Sequence, residues 1–333
     1  MAPYRVGVIG CGGIGIQHAT GLVGLDNAHL VAACDLNPET VAAFQDHWAG
    51  TWDTIAPYAD YRQMLAEQQL DVLTIATPDD CHAEPTVDAA RAGVKAIFCE
   101  KPLATSLDDA RRMQRAVAEH GVVFSVDHTR RFKPIWRKLR KLVAAGAIGE
   151  LQYVVGTLSG KRGSLFRNGT HLIDALCYLA GARPAWVFAE LEDGYQDHTE
   201  YRGDGGRTPS LEPSASGYIH FANGVRAFYT GTSKKTAGSK WRFELVGSQG
   251  QILIDKDDAE LLRDGQREKI EPPEAPLSGI PAGVRELVEI LDRGGATSSP
   301  IAAAIDVVEV IFGFIESQRR GNVRVELPLS EEG

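Results

Sequence analysis

Val6-Gly7-Val8-Ile9-Gly10-Cys11-Gly12-Gly13-Ile14-Gly15 is the stretch that decides the fold at the start of the chain. A short apolar run leads directly into Gly-x-Gly-x-x-Gly, and a helical stretch follows it. A second apolar run, residues 30–34, then ends at Asp35. A dinucleotide-binding βαβ unit typically has this order of strand, glycine turn, helix, strand and acid. The alternative is a glycine-rich turn that binds no ligand, and such a turn does not require the flanking strand, helix and acid. The order therefore predicts a cofactor site.

Each glycine of the motif has a physical role in such a unit. Gly10 allows the tight turn, and Gly12 has no Cβ, so the backbone there can approach a pyrophosphate. Gly15 lets the helix pack closely on the strand, and the helix N-terminus offers free N–H groups to the phosphates. The cofactor-binding residues expected in this loop are Gly10, Cys11, Gly12, Gly13, Ile14 and Gly15.

The end of the second strand indicates which dinucleotide is bound. Asp35 lies twenty residues beyond Gly15, where a carboxylate accepts hydrogen bonds from the adenosine ribose hydroxyls. A carboxylate there repels a 2′-phosphate, and Leu36, Asn37 and Pro38 include no arginine to receive one. NAD is therefore expected rather than NADP, with Asp35 and Leu36 among the residues that bind it.

Composition argues against several other classes of protein. The chain has 333 residues, 44% of them hydrophobic, which suits two domains with substantial cores. The formal net charge of −9 argues against a nucleic-acid or anionic-membrane surface, because both need clustered Lys and Arg. None of the five cysteines forms a C-x-x-C pair, so neither disulfides nor a metal site is expected. With no evident signal peptide or long apolar run, the cytoplasm is the expected location.

Hydrophobic patterning divides the chain into two parts. Residues 1–125 alternate helices with predicted strands at 4–9, 30–34, 72–76, 96–99 and 122–126, which predicts a doubly wound parallel Rossmann sheet. Residues 126–333 begin with a basic amphipathic helix and continue with runs in which apolar and polar residues alternate. Such runs predict an α+β domain with an open-faced, mostly antiparallel sheet.

Polar residues follow the ends of three predicted strands, namely Thr77-Pro78, Glu100-Lys101-Pro102 and Asp127-His128. Ligands of a doubly wound sheet bind at the carboxyl ends of its strands, so these residues are expected to line one crevice. Lys101 would place there a compact cation that polarises a carbonyl or stabilises a developing alkoxide, as hydride transfer between alcohol and ketone requires. A surface ion pair with Glu100 explains the same position equally well.

Six motifs along the chain together resemble one protein family. They are residues 8–15, 76–78 with His82, 99–104, 130–134, 146–149 and 169–174. In this combination the chain resembles the Gfo/Idh/MocA oxidoreductases over nearly its whole length. The resemblance implies a Rossmann domain and then a substrate-binding domain whose open-faced sheet packs into homodimers or homotetramers. It also implies NAD(P)-dependent redox chemistry on sugars, cyclitols or related polyols, with Lys101 in the position of the catalytic lysine.

The resemblance also assigns two further groups of contacts. The cofactor is expected to lie near the loop after residues 72–76 and near the Glu-Lys-Pro turn, on Thr77, Pro78, His82, Glu100 and Lys101. The turn after the last Rossmann strand is expected to face the substrate, through Thr129 or Arg130 together with Lys101 itself.

His171 and Asp174 are three residues apart on a predicted helix and so share a face. A histidine titrates near neutrality and can take the hydroxyl proton as the hydride leaves, while Asp174 can orient it or raise its pKa. The alternative is that His171 caps or packs the helix and that Asp174 makes a structural hydrogen bond. The resemblance favours catalysis for His171 and leaves the two readings of Asp174 evenly balanced.

Position 167 departs from the pattern of the family that the chain resembles. Many members have an aspartate four residues before the histidine, and this chain has Arg167. A guanidinium cannot act as a base, but it can bind a carboxylate, phosphate or keto oxygen. Lys161, Arg162 and Arg167 form a basic stretch, which suits a substrate with an anionic or strongly hydrogen-bonding group. The candidate substrate-binding residues here are Lys161, Arg167, Asn168 and His171. A solvated basic loop is the alternative.

The function predicted from the sequence is an NAD-dependent dehydrogenase that acts on a secondary alcohol of a sugar, cyclitol or related small molecule. A second hypothesis is an enzyme that retains NAD and oxidises a sugar only transiently, to allow epimerisation, elimination or glycoside cleavage. A third is an NAD-bound sensor without chemistry, against which Lys101 and His171 argue, since a sensor needs neither.

Overall fold

The computed structural model describes residues 2–205, 207–238 and 240–330, and the chain forms two compact units. Unit 1 contains the residues up to Ala104, Asp108–Phe132 and Pro276–Ala302. Unit 2 contains Thr105–Leu107, Lys133–Ala275 and the residues from Ala303 onward. Within the described ranges, no helix is long and apolar enough to cross a membrane.

A parallel sheet forms the centre of unit 1. In the described part of the chain its six strands are β1 (Tyr4–Ile9), β2 (Ala28–Cys34), β3 (Ala56–Tyr58), β4 (Val72–Ile75), β5 (Ala96–Cys99) and β6 (Val123–Val126). They lie in the order β3-β2-β1-β4-β5-β6, and every neighbouring pair is parallel. The predicted doubly wound sheet is confirmed. The order changes direction between β1 and β4, which is where such sheets bind ligands.

Helices connect these strands, as the alternating pattern predicts. They are α1 (Gly13–Thr20), α2 (Pro38–Trp48), α3 (Tyr61–Gln68), α4 (Ala83–Arg91) and α5 (Leu107–Glu119). Two of them begin at side-chain caps, because Asn37 accepts a hydrogen bond from Glu39 N and Asp60 accepts one from Arg62 N. These caps satisfy N–H groups that the first helical turn leaves without partners.

A mixed sheet forms the centre of unit 2. Its strands are β7 (Leu151–Ser159), β8 (Pro184–Leu191), β9 (Ala215–Phe221), β10 (Arg226–Thr232), β11 (Trp241–Gly247), β12 (Gln251–Asp255), β13 (Asp258–Arg263), β14 (Gln266–Lys269) and β15 (Val325–Glu326). They lie in the order β14-β13-β12-β11-β7-β10-β9-β8-β15. β7 and β10 run parallel and the other neighbours antiparallel, so the expected mostly antiparallel sheet is confirmed.

Helices of unit 2 cover one face of this sheet and share its hydrophobic core. The helices are α6 (Pro134–Ala144), α7 (Thr170–Ala180) and α9 (Ile301–Arg319). α7 lies so close to β7 that a Cβ at Gly156 would come within 2.8 Å of Leu172 Cδ1. Phe314 of α9 packs in the same way over Gly217 of β9, 2.5 Å from where a Cβ would lie. Glycines in the strands thus let two helices approach the sheet backbone.

A late helix, α8 (Ile280–Arg293), belongs to unit 1, where it packs on α1 and β5. Val284, Leu287 and Val288 are completely buried in this contact. Gly283 lies against Phe98, where a Cβ would come within 2.7 Å of the ring. The sequence analysis divides the chain once, between residues 125 and 126. The two compact units are instead discontinuous, because residues 276–302 follow most of unit 2 in the sequence but pack in unit 1.

Candidate active site

Backbone hydrogen bonds align the carboxyl ends of the Rossmann strands. In each case the N–H of the residue that follows one strand donates to the last carbonyl of a neighbouring strand. The four bonds are Gly10 to Cys34 (2.8 Å), Ala76 to Ile9 (2.7 Å), Glu100 to Ile75 (2.9 Å) and Asp127 to Cys99 (2.8 Å). The residues that follow β1, β4, β5 and β6 therefore stand in one row at this edge of the sheet.

The glycine turn has the geometry that its sequence predicts. Gly10 has φ +90°, and a Cβ there would lie 2.4 Å from Ala76 O. A Cβ at Gly15 would lie 2.0 Å from Gly10 O, so only glycine lets α1 pack this closely on the turn. At Gly12 and Gly13, by contrast, a Cβ would meet nothing within 4 Å. The start of α1 therefore has open space and backbone N–H groups, which fit a bound pyrophosphate.

Asp35 joins the glycine turn to the loop before α2. Its Oδ2 accepts a hydrogen bond from Cys11 N (3.0 Å), and its Oδ1 accepts one from Asn37 N (3.0 Å). These two bonds hold the half-buried carboxylate beside the turn. Leu36, the next residue, has 90% of its surface exposed and lies outside the core.

His82 links the loop after β4 to the Glu-Lys-Pro turn after β5. Its side chain is buried, with Nδ1 2.7 Å from Pro102 O and Nε2 3.2 Å from Thr77 O. Thr77 Oγ1 donates to Cys81 O (3.2 Å), which closes the first of these loops on itself. His82 therefore supports two loops expected to contact the cofactor and has its ring nitrogens directed at the protein.

Glu100 is a buried carboxylate held by donors on both oxygens. His18 Nε2 lies 3.4 Å from Oε1, and the backbone N–H of Lys101 donates to Oε2 (3.2 Å). Burial favours the neutral acid, but the hydrogen bond and charge of His18, the charge of Lys101 and a hydrogen bond from Asp127 outweigh it. Together they lower the pKa of Glu100 to about 2. Glu100 is therefore ionised, and its charge stands directly before Lys101.

Asp127, which follows β6, is the second acid of this cluster and is 1% exposed. Burial, then the charge of Glu100 and a hydrogen bond to it, raise the pKa of Asp127 well above its usual range. The hydrogen bond from Thr129 Oγ1 to Asp127 Oδ2 (3.2 Å) and the charge of Lys101 oppose this shift. Two carboxylates this close do not both ionise, and Asp127 is the one that keeps its proton.

In unit 2 the predicted site residues cluster at the start of α7. A π-helical turn, Leu165–Gly169, carries Arg167 and Asn168 and leads into the helix. Arg167 Nη1 donates to the backbone carbonyl of Gly205, which lies in the segment between β8 and β9 (3.1 Å). His171 is half-buried with its ring edge-on to Trp241 of β11, 6.4 Å between centroids.

The remaining predicted residues differ in exposure. Asp174 is buried, with 1% of its surface exposed. Lys161 is exposed and lies in the turn after β7. In unit 1, Thr129 and Arg130 begin a short 3-10 helix, Thr129–Phe132, directly after β6, and both are half-buried.

Sequence reasoning missed two members of the cluster behind Lys101. His18 appears in the sequence as a residue of the first helix, and its burial beside Glu100 follows only from the packing of α1 on the sheet. Asp127 was noted as a residue at the end of a strand but was not assigned a role. A signal for it does exist, because an acid directly after an apolar strand is placed at the ligand edge beside the acid that follows the neighbouring strand.

Comparison with known proteins supports the assignment of both parts of the chain. Residues 4–128 match the family profile described as "Oxidoreductase family, NAD-binding Rossmann fold", and residues 136–253 match the "GFO/IDH/MocA C-terminal domain". The chain is 30% identical over 266 residues to inositol 2-dehydrogenase of Rhizobium meliloti (strain 1021), covering 75% of each protein. It is 28% identical over 263 residues to scyllo-inositol 2-dehydrogenase (NAD(+)) of Bacillus subtilis (strain 168), covering 75% of this chain and 73% of that protein.

A solved structure shows the same fold. The inositol dehydrogenase homolog of Azotobacter vinelandii, complexed with NADH and myo-inositol, matches with a TM-score of 0.81 at 17% identity, over 98% of each chain. Fold and site thus define an oxidoreductase with an NAD-binding Rossmann domain. The chain belongs to the Gfo/Idh/MocA family.

Replacing Asp127 by asparagine tests its protonation state. A group whose pKa is raised on folding stabilises the folded state below its ordinary pKa, here 3.8, and loses this contribution as pH rises towards the folded pKa. The free energy of unfolding of the wild type should therefore fall, relative to Asp127→Asn, by about 1.4 kcal/mol per pH unit in that window. Urea denaturation between about pH 4 and about pH 7 measures the difference.

The control for this prediction is Asp108→Asn, which removes an exposed carboxylate of unit 1. Its stability relative to the wild type should not rise with pH. If Asp127→Asn likewise gains nothing as pH rises, Asp127 is not protonated in the folded chain.

Proposed function

We propose that this protein is an NAD-dependent dehydrogenase that oxidises a secondary alcohol of a sugar, cyclitol or related polyol. The observation that carries the proposal is the position of Lys101, directly after β5 in the hydrogen-bonded row that also holds the glycine turn and the residue after β4. The names of the relatives support the substrate class, because inositol 2-dehydrogenase and scyllo-inositol 2-dehydrogenase both act on cyclitols.

Lys101 is proposed to bind the reacting oxygen of the substrate. Its ammonium group donates a hydrogen bond to the hydroxyl and stabilises the negative charge that develops as the proton leaves. The buried carboxylate of Glu100 favours the charged form of Lys101, since the two groups influence each other reciprocally. When bound, the nicotinamide ring supplies the hydride acceptor, and the residues of the protein orient the groups around it.

His171 is proposed to accept the hydroxyl proton. Its imidazole is half-buried at the start of α7. Histidine is the side chain that ordinarily gains and loses a proton near neutral pH, as a proton acceptor in this reaction must. Asp174, one turn further on and buried, is proposed to hold the orientation of His171 rather than to contact substrate. The two residues thus have different proposed roles although they share a face of the helix.

Further substrate contacts are proposed for residues close to these groups in the chain. Arg167 Nη1 donates to Gly205 O, which is a neutral carbonyl (3.1 Å). A guanidinium can form several hydrogen bonds at once and suits an anionic or oxygen-rich substrate. The proposed substrate-binding residues are Lys101, Thr129, Arg130, Lys161, Arg167, Asn168 and His171.

The cofactor contacts proposed for unit 1 follow the row at the strand ends. They comprise Gly10, Cys11, Gly12, Gly13, Ile14, Gly15, Asp35, Leu36, Thr77, Pro78, His82, Glu100 and Lys101. We propose that NAD is preferred over NADP, because Asp35 is fixed beside the glycine turn by two hydrogen bonds. A 2′-phosphate in the same place would be repelled by this carboxylate.

The open face of the unit 2 sheet is proposed to bind a second copy of the chain. Trp186, Phe188, Tyr218 and Phe228 form an aromatic face on β8, β9 and β10, with ring centroids of neighbours 4.9 to 5.4 Å apart. Phe188 is 43% exposed and Phe228 is 39% exposed. A contiguous apolar patch of this kind is typical of a protein–protein interface, and a homodimer or homotetramer would cover it.

The thiol chemistry of the chain suits a reducing compartment. All five cysteines are free, and burial is the main cause that raises the pKa of Cys11 to about 12 and that of Cys34 to about 11. Such thiols act as small buried hydrophobic groups and are poor nucleophiles. We propose that the protein works in the cytoplasm.

Replacing Lys101 by alanine tests the proposed chemistry. Sugars, inositols and sugar acids are screened with NAD, and separately with NADP, by following the absorbance of NADH or NADPH. On the best substrate, Lys101→Ala should lower kcat by about 10³- to 10⁴-fold, because the developing alkoxide loses its cation. The affinity for NAD, measured by calorimetry, should change little.

Lys95→Ala is the matched control, since Lys95 is exposed and pairs with Asp71 (2.8 Å) next to the start of β5. It should keep its turnover. Full turnover of Lys101→Ala would contradict the assignment. Bound NAD in the purified protein without accumulation of NADH would indicate transient oxidation, and NAD binding without turnover on any substrate would indicate a sensor.

Replacing Asp35 by asparagine tests cofactor preference. The variant keeps an acceptor for Cys11 N or Asn37 N but loses the negative charge, so the ratio of the NADPH and NADH dissociation constants should fall by about tenfold. Fluorescence titration with each cofactor measures the ratio. Asp26→Asn, which removes an exposed charge before β2, should leave it unchanged, and an unchanged ratio in Asp35→Asn would contradict the role of Asp35.

Replacing Phe228 by glutamate tests the aromatic face. A charge placed in an apolar interface is costly to bury, so Phe228→Glu should shift the protein towards monomer in light scattering coupled to gel filtration. Leu211→Glu is the control, because Leu211 is 40% exposed in a short 3-10 helix between β8 and β9. Monomeric wild-type protein, or an unchanged mass of Phe228→Glu, would rule out this interface.

A further inference from the structure

We propose that Asp127 is a positioning residue for Lys101: as a neutral acid it donates a hydrogen bond from Oδ1 to Glu100, which adds to the donors that hold Glu100 as a carboxylate and so favours the ammonium form of Lys101. This inference rests on the proposed function of Lys101. It assigns a role to a buried acid that the proposed chemistry does not otherwise use.

The hydrogen bonds around the two acids show where the shared proton resides. Glu100 has a donor on each oxygen, from His18 Nε2 and from the backbone N–H of Lys101. Asp127 Oδ2 accepts from Thr129 Oγ1, whereas the buried Oδ1 receives no hydrogen bond from an N–H or O–H donor among the described residues. Hydrogen bonds donated to a carboxylate stabilise its charged form, so Glu100 is the better place for the negative charge. A proton on Asp127 Oδ1 turns a buried oxygen without a donor into a hydrogen-bond donor, which avoids the desolvation penalty of leaving that oxygen unsatisfied. The proton therefore belongs on Asp127 Oδ1.

Backbone geometry brings the two acids together. β5 and β6 are parallel neighbours with Cys99 paired to Val126, so Glu100 and Asp127 are the next residues along each strand. Asp127 N–H donates to Cys99 O (2.8 Å), which fixes the main chain between the two side chains. The pKa of Asp127 is raised and that of Glu100 is lowered, in agreement with one proton shared by the pair.

The charges around the pair connect it to Lys101. The titratable groups that influence the cluster are His18 from α1, Cys99, Glu100 and Lys101 from the end of β5, and Asp127 from the end of β6. Burial and then the charge of Glu100 raise the pKa of the Cys99 thiol well above its usual range, against a weaker lowering effect of the hydrogen bond with Thr86, so the thiol stays neutral. Lys101 and Glu100 are then the cation and the anion, and loss of either charge destabilises the other.

Labelling of Lys101 tests the proposal without depending on turnover. Only the neutral amine reacts with acetic anhydride, so the labelling rate of Lys101 against pH, read by peptide mass spectrometry on the full chain, gives the midpoint of its titration. Glu100→Gln removes the anion and should lower the midpoint by about one unit, which makes labelling at neutral pH about tenfold faster. Asp127→Asn keeps a donor towards Glu100 and removes no charge, so its midpoint should match the wild type.

A third variant tests whether the donor on Asp127 matters. Asp127→Leu is close in size but cannot donate, so the Glu100 carboxylate loses one donor and its own titration midpoint, read from the carboxyl carbon by NMR, should rise by about one unit. A fall of the Lys101 midpoint in Asp127→Asn as large as in Glu100→Gln overturns the proposal, because it means that Asp127 itself carries a charge. An unchanged Glu100 midpoint in Asp127→Leu also overturns it. The asparagine result alone decides the matter if either other variant fails to fold.

Two further measurements separate this proposal from the proposed function. Asp108→Asn, with its exposed carboxylate, controls for a general change in charge and should leave the midpoint unchanged. If turnover is found, the pH profile of kcat should shift with the labelling midpoint in each variant. If labelling behaves as expected but no polyol is oxidised, the proton sharing stands and the dehydrogenase function fails. If turnover is found and the midpoints do not respond, the proposed function stands and the role of Asp127 fails.

Discussion

The hydrogen bonds along the carboxyl edge of the Rossmann sheet are the constraint on which the rest of unit 1 depends. Each strand end is tied to its neighbour by an N–H of the residue that follows, from Gly10 to Asp127. Hydrogen bonds between parallel strands are evenly spaced along the pair and fix its register, so they decide which residues become neighbours at the strand ends. The glycine turn, the loop after β4, Lys101 and the buried acids lie in one row because their strands pair in register.

This edge of the sheet also holds a buried ionised group, the Glu100 carboxylate, among apolar strands. A buried carboxylate is tolerated only with donors and an opposite charge, and Glu100 has His18, a backbone N–H and Lys101. A second acid at the same depth has to keep its proton, as Asp127 does. The candidate site residues of unit 2 are held by other kinds of contact. Arg167, in the π-helical turn before α7, donates to a neutral backbone carbonyl, and His171 is half-buried with its ring edge-on to Trp241.

Much of the fold could be predicted from the sequence, because hydrophobic periodicity and turn-forming residues determine secondary structure locally. The strand at Tyr4–Ile9 is predicted with its observed bounds, and the glycine turn lies where its motif places it. β3, Ala56–Tyr58, is absent from the predicted strands because three residues with a central proline are too short a run to show a strand pattern. The return of α8 to the Rossmann sheet and the burial of His18 and Asp127 are long-range contacts, which no local pattern contains. The residue types of the site could thus be predicted from motifs, whereas the proton balance behind Lys101 needed the structure.

The central claim is the proposed reaction, in which a hydride passes directly from a carbinol carbon of the substrate to NAD while Lys101 binds the hydroxyl oxygen and His171 accepts its proton. The most direct measurement uses polyols deuterated at every carbon, with NAD, and reads the mass of the NADH that forms. The account predicts that each NADH formed contains one deuterium and that Lys101→Ala forms this product about 10³- to 10⁴-fold more slowly. NADH without deuterium, or an absence of NADH with every polyol tested, would contradict it.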